Sequence, residues 1–316
     1  MSNKLFFFAI QTLAVVVLSA FVLVACAPSS HPGQTATLGR VSSQAAMEDV
    51  LEQAGPLEYQ SLVSADWQVP LSGLVNLKHP KAQQAGLHDK PEAIHVYAHS
   101  LRHPKYGQFL IDTGVAAALL DQHSPAYPGW ILAKAMNLAE LKLRLSTASM
   151  LKQFATPLQG VFLTHLHLDH ISGLPEIPLE VPIYTGPGEL EERAVKHAFI
   201  QGATDKLLAQ RPALQIWRFA SVETAGLSVI DVFADASLFA IKTPGHTAGS
   251  VSYLARTRDG PVLFVGDTCH TRWGWQNQVE PGDFSSDPAR NAASLQQLYR
   301  LVQAHPSIQV RLGHQE

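Results

Sequence analysis

Four residues able to ligate a metal ion fall within six positions: His165, His167, Asp169 and His170, in the run Thr164-His165-Leu166-His167-Leu168-Asp169-His170. The run directly follows Val161-Phe162-Leu163, which reads as a short buried strand. In an extended segment residues i and i+2 point the same way, so His165 and His167 can share one ion. Asp169 and His170 lie just beyond, where the chain turns towards Gly173, and can serve a neighbouring ion. Neutral imidazoles and a carboxylate suit Zn2+ well and other first-row metals acceptably. A lone His-X-His is weak evidence. The fuller pattern is specific, and its interleaved leucines argue against a solvated surface cluster.

The second half of the chain carries matching pieces. Thr243-Pro244-Gly245-His246-Thr247-Ala248-Gly249 places His246 in a glycine-bracketed loop after a strand. Phe264-Val265-Gly266-Asp267 and Arg311-Leu312-Gly313-His314 put Asp267 and His314 at the ends of two further strands. Singly, each is a common structural feature. With the first run they form a set.

The elements that must position this set alternate between strand and helix. Ile94–Ala98 and Gln108–Ile111 read as a hairpin pair, and Val161–Thr164, Val181–Tyr184, Leu214–Phe219, Leu227–Phe233, Leu238–Lys242, Ser250–Leu254, Val262–Val265 and Ile308–Leu312 as strands. Trp130–Phe154, Glu189–Gln210 and Ala289–Gln303 read as helices. Strand runs flanked by helices in both halves imply an α/β sandwich with helices outside. The long connection from Val115 to Gly160 reads as an outer layer over the sheet, with a lid or pocket wall as the alternative.

Composition bounds the rest. Of 316 residues 46% are hydrophobic and 16% charged, so a large core is available and disorder is excluded. A net charge of -3 without a polybasic block argues against nucleic acid as a partner. Two cysteines exclude a disulfide framework and a thiolate zinc cluster. The start of the chain is an address: Lys4, then an almost wholly apolar Leu5–Val24, then Ala25 and Cys26. Leu23-Val24-Ala25-Cys26 resembles a bacterial lipobox. That resemblance implies a signal peptide over 1–25, lipid on Cys26 and a protein exported to a membrane surface, where the lipid is its partner. Ala27–Ser43, rich in Pro, Ser, Gly and Thr, reads as a flexible tether, giving a tether over 26–45 and a catalytic domain over 46–316.

The set of motifs, led by Ile111-Asp112-Thr113-Gly114, resembles the metallo-β-lactamase-fold hydrolases over about Ile94 to His314. The resemblance implies an αββα sandwich with two divalent ions, Zn2+ by default, at one edge. By motif, His165, His167 and His246 would hold the first ion, Asp169, His170 and His314 the second, and Asp267 would bridge them. Asp112 would orient a ligand imidazole, with a plain turn carboxylate as the alternative. Two ions about 3.5–4 Å apart can hold a bridging hydroxide, so the implied reaction is hydrolysis of a small molecule. Asp169 would pass a proton to the leaving group. An Asp-bridged set is similar to the lactonase and glyoxalase II branch, and Gly266-Asp267-Thr268-Cys269-His270 favours a lactone or carboxylic ester. Lactonases carry Tyr where this chain has His270, which would there donate to an oxyanion or else simply face solvent or pack. Thioesterase, phosphodiesterase and β-lactamase chemistry, and a non-catalytic metal-binding surface protein, are the rival readings. Cys269 reads as a small buried hydrophobe. Trp273 and Trp275 read as cover for the sheet edge, or else as an apolar rim for a substrate chain.

Overall fold

The structure is a computed structural model that describes residues 27–193, 197–220 and 226–316. Its strands in chain order are β1 (Gly33–Thr35), β2 (Arg40–Ser42), β3 (Glu58–Pro70), β4 (Pro91–His103), β5 (Gly107–Ile111), β6 (Lys142–Leu143) and β7 (Leu158–Phe162). They continue with β8 (Ile183–Thr185), β9 (Leu214–Ile216), β10 (Val229–Asp231), β11 (Leu238–Lys242), β12 (Val251–Thr257), β13 (Gly260–Phe264) and β14 (Gln309–Arg311). One sheet has the order β1-β9-β8-β7-β5-β4-β3-β6 and the other β14-β13-β12-β11-β10-β2.

Period-two alternation stacks the sheets. In β11 Leu238 and Ala240 enter the layer between the sheets, while Phe239 and Ile241 face outward. In β12 Tyr253 and Ala255 point inward and Leu254 outward; in β13 Val262 and Phe264 point inward and Leu263 outward. From the opposite sheet Phe162, Tyr184 and Trp217 fill the same inner layer. Helix Pro288–Ala304 covers the second sheet through Leu295, Leu298 and Leu301, and helix His197–Leu208 covers the first through Ala203, Leu207 and Leu208. The αββα sandwich expected from the sequence is therefore the fold.

Four boundaries differ from the sequence reading. The expected helix over 130–154 breaks into Trp130–Ala135, the turn Leu138–Glu140, β6 and Thr147–Leu151. Asn137 takes a left-handed backbone (φ 55°) and ends the first piece, and the Ser146 side chain caps the last. The expected helix from Glu189 begins at His197, and residues 194–196 lie outside the described residues. The 13-residue strand β3 escaped notice because a bulge between Val63 and Ala65 interrupts its alternation. The segment read as a tether is instead docked. β1 pairs with β9, β2 pairs with β10, and the Ser29 and Ser30 hydroxyls both bond Asp205. Short polar edge strands carry little sequence signal, because their pairing partners lie far along the chain. Residues 1–25 and Cys26 lie outside the described residues. Among the described residues no helix is long and apolar enough to cross a membrane.

Candidate metal centre

Strand direction collects the candidate ligands. β5 and β7 are parallel, so the residues following each, Asp112 and then His165 to His170, emerge at one edge of the first sheet. β11 and β13 both run antiparallel to β12, and β14 runs parallel to β13. The loops carrying His246, Asp267 and His314 therefore leave the second sheet at one common edge. The two edges are stitched together: the Val251 N–H donates to Thr164 O at 2.8 Å and the Tyr253 hydroxyl to Leu163 O at 3.0 Å.

Two groups of side chains converge there, His165, His167, His246 and Asp267 in one and Asp169, His170, His314 and Asp267 in the other. Within each, one ligand atom per residue lies within 4.8 Å of the rest. Asp267 belongs to both, as expected of a bridging carboxylate. Its Oδ2 lies 3.3 Å from His170 Nε2, 3.3 Å from His246 Nε2 and 3.6 Å from His165 Nε2. His314 Nε2 lies 3.3 Å from Asp169 Oδ2 and 3.4 Å from Asp267 Oδ1.

The outer hydrogen bonds of the rings test whether a cation fits. His170 Nδ1 lies 2.8 Å from Asp112 Oδ2, and His314 Nδ1 lies 2.8 Å from the carbonyl of His95. Both partners accept, so each Nδ1 carries the proton and each Nε2 turns a lone pair towards carboxylate oxygens. Lone pairs converging in a buried site need positive charge between them. A proton on Nε2 can supply that charge at His314: Asp267 and Asp169 raise its imidazole to about 10 against the pull of burial, so this point of the site draws positive charge. Burial, reinforced by neighbouring histidines, holds His165 and His246 well below the usual imidazole range, in the neutral form that ligates. The donor set therefore fits two divalent ions. Asp112 has the orienting contact the sequence suggested, from a left-handed backbone (φ 55°) tied to the Thr164 N–H at 2.8 Å.

A cavity of about 660 Å³ opens over this centre. Its floor includes His167, Asp169, His246, Asp267 and His314, and its walls include Trp67, Leu74, Ile94, Met136, Ile200 and Phe284. Ala135, Met136 and Asn137 belong to the long connection, which thus supplies one wall. Apart from that connection, offered by the sequence as a pocket wall, the apolar wall residues carry no sequence signal, because they come from separate segments of the chain. Trp273 and Trp275 pack against core clusters and do not themselves line the cavity, and Cys269 is buried in the cluster that Trp275 covers.

Of the two readings the sequence offered for His270, contact with substrate or packing, the structure places the ring among packed residues. It is 1% exposed and does not line the cavity. Its Nδ1 lies 3.1 Å from the carbonyl of Leu74 and its Nε2 lies 2.9 Å from Asp267 Oδ2. The ring is held behind Asp267 by a backbone acceptor that the local sequence does not announce. Glu189, read as the start of a helix, is instead a buried acceptor between two ligand loops.

The metallo-beta-lactamase superfamily model matches residues 107–314. The chain belongs to that superfamily. It is similar to the N-acyl homoserine lactonase AttM of Azorhizobium caulinodans, at 29% identity over 157 residues, 48% of this chain and 56% of that protein. The chain spans little more than half the length of the curated lactonases it matches. A crystal structure of a quorum-quenching N-acyl homoserine lactone lactonase shares the fold, with a TM-score of 0.56 and 18% identity over 83% of this chain and 92% of that one. AidC, a dizinc quorum-quenching lactonase in complex with a product, does so with a TM-score of 0.52 and 14% identity over 88% and 91%. At such identities the superfamily member shares their architecture, and its own side chains must argue the chemistry.

Proposed function

We propose that this hydrolase opens lactones of the N-acyl homoserine type or cleaves closely related carboxylic esters. His165, His167 and His246 would hold one divalent ion and Asp169, His170 and His314 a second, with Asp267 in reach of both. The observation that carries the reading is the apolar cavity set directly above a polar floor of His167, Asp169, His246, Asp267 and His314. An acyl chain is accommodated by Trp67, Met136, Ile200 and Phe284 while the carbonyl meets the floor. When bound, the two ions polarise that carbonyl and make water nucleophilic at neutral pH. Asp267 and Asp112 aim the imidazoles, and the apolar walls exclude bulk water.

Asp169 is the carboxylate placed to move a proton. Its side chain is 18% exposed against 4% for Asp267, and it lines the cavity. Burial works to raise its carboxyl, but His170 and His314 outweigh burial and hold it at about 2, so it begins as the ionised acceptor. The water that attacks the carbonyl gives up a proton to Asp169, which then passes it to the alkoxide released as the acyl–oxygen bond breaks. His270 supports this chemistry from behind Asp267 and not from the substrate side.

The test is hydrolysis by the purified protein of an acyl-homoserine lactone, an aryl ester, a thioester, a phosphodiester and a β-lactam, with and without a chelator. Lactone turnover above the rest, abolished by chelator and restored by Zn2+, is expected. Preference for another class would keep the centre and refute the substrate. We also infer export and lipid attachment at Cys26, supported by Leu23-Val24-Ala25-Cys26. Cys26→Ser should abolish lipid labelling, and labelled mature protein from that variant would refute the anchor.

A further inference from the structure

Glu189 is a buried carboxylate that the hydrolytic chemistry does not use. It is 1% exposed and carries three donors on its two oxygens. Oε2 accepts the Leu166 N–H at 2.9 Å; Oε1 accepts the Gly249 N–H at 3.0 Å and the Thr247 hydroxyl. Leu166 lies between His165 and His167, and Thr247 and Gly249 follow His246. One side chain therefore ties together the two loops that carry the three histidines of a single ion.

The backbone around Glu189 leaves it nowhere else to go. A Cβ on Gly186 would lie 1.8 Å from Gly249 O, and one on Gly249 would lie 2.7 Å from Glu189 Cγ. The Gly186-Pro187-Gly188 turn is thus pressed against the His246 loop, and glycines permit the approach. Burial pushes the Glu189 carboxyl up to about 7 despite its three donors, so a carboxylate is a costly choice for packing alone.

We propose that Glu189 is a positioning residue that locks His165, His167 and His246 into one ligand frame and so sets the affinity of the ion they hold. The proposal rests on the metal reading above. Chemistry explains why glutamate is required. Two of its donors are backbone N–H groups, one facing each oxygen, and neither can reverse. An amide would set its own N–H against one of them.

The test is a chelator-competition titration with Co2+ on the full chain, read by metal stoichiometry and the cobalt ligand-field spectrum, with melting of the metal-free proteins alongside. Glu189→Gln keeps the side-chain volume. It is expected to weaken one of two equivalents by about 10- to 100-fold and shift that ion's spectrum, leaving the other equivalent within a few-fold. Thr247→Val, which removes a single donor and keeps the shape, is expected to weaken the same equivalent by about fivefold. Glu192→Gln is the control, because among the described residues the Glu192 side chain bonds the Ala248 N–H of the His246 loop, at 3.2 Å, and not the His165–His167 segment. It should leave both equivalents unchanged. Wild-type affinity for both ions in Glu189→Gln and Thr247→Val, with only lower melting temperatures, would overturn the proposal. A wild-type protein that binds no ion would overturn the metal reading and this proposal together.

Discussion

Asp267 is the residue that both groups of candidate ligands share. Four imidazoles approach its Oδ2, those of His165, His170, His246 and His270. Burial works to raise its carboxyl, but His270 and His170 lead the groups that hold it well below the usual carboxylate range. Asp267→Ala is expected to abolish hydrolysis and release one of two metal equivalents, read by elemental analysis of the dialysed protein. Retention of both would sink the bridging role. Two positions away, Cys269 makes the opposite prediction. Burial pushes its thiol up to about 12, so at pH 8 iodoacetamide should leave it unmodified in the folded protein and alkylate it in urea, as read by mass spectrometry. His165, His167, Asp169 and His170 were legible as candidate ligands because their spacing is local: a strand followed by four donors needs no knowledge of the rest of the chain. His270 was legible as a site residue but its direction was not, because the acceptor that turns the ring lies 196 residues away at Leu74. Glu189 was hidden for the same reason, its donors being 23, 58 and 60 residues distant.

At the scale of elements, the site is a property of loops that strands deliver. The His246 loop is the tightest of them. Gly245 has φ 139°, and a Cβ there would lie 2.1 Å from the Asn291 backbone N, at the start of the helix Pro288–Ala304. Gly245→Ala combines that clash with a strained backbone, and should destabilise the metal-free protein by roughly 3 kcal/mol or more, read from the urea midpoint. The long apolar strands β11 to β13 were readable because alternation gives them two buried faces. The stretch 130–154 was not, since its good helix-forming composition is overridden by a left-handed Asn137 and by β6 pairing with β3. Composition alone also made residues 27–43 look loose, although Ala27 and Ser29 are buried.

At the scale of the whole molecule, the apolar cavity over a polar floor predicts how rate responds to substrate. Each methylene added to the acyl chain should raise kcat/KM about fourfold until the space beside Met136 and Ile200 is filled. A flat profile across chain lengths would count against acyl binding in the cavity. Removing metal with a chelator should abolish turnover on every substrate at once, since a single centre serves the whole cavity. The bond from His314 Nδ1 to the His95 carbonyl joins residues 219 apart in the chain. Loop closure of that length belongs to the slow end of assembly. In a refolding experiment, strand formation seen by far-UV circular dichroism should therefore precede the uptake of Co2+, and the growth of the cobalt spectrum would time the docking of the two sheets.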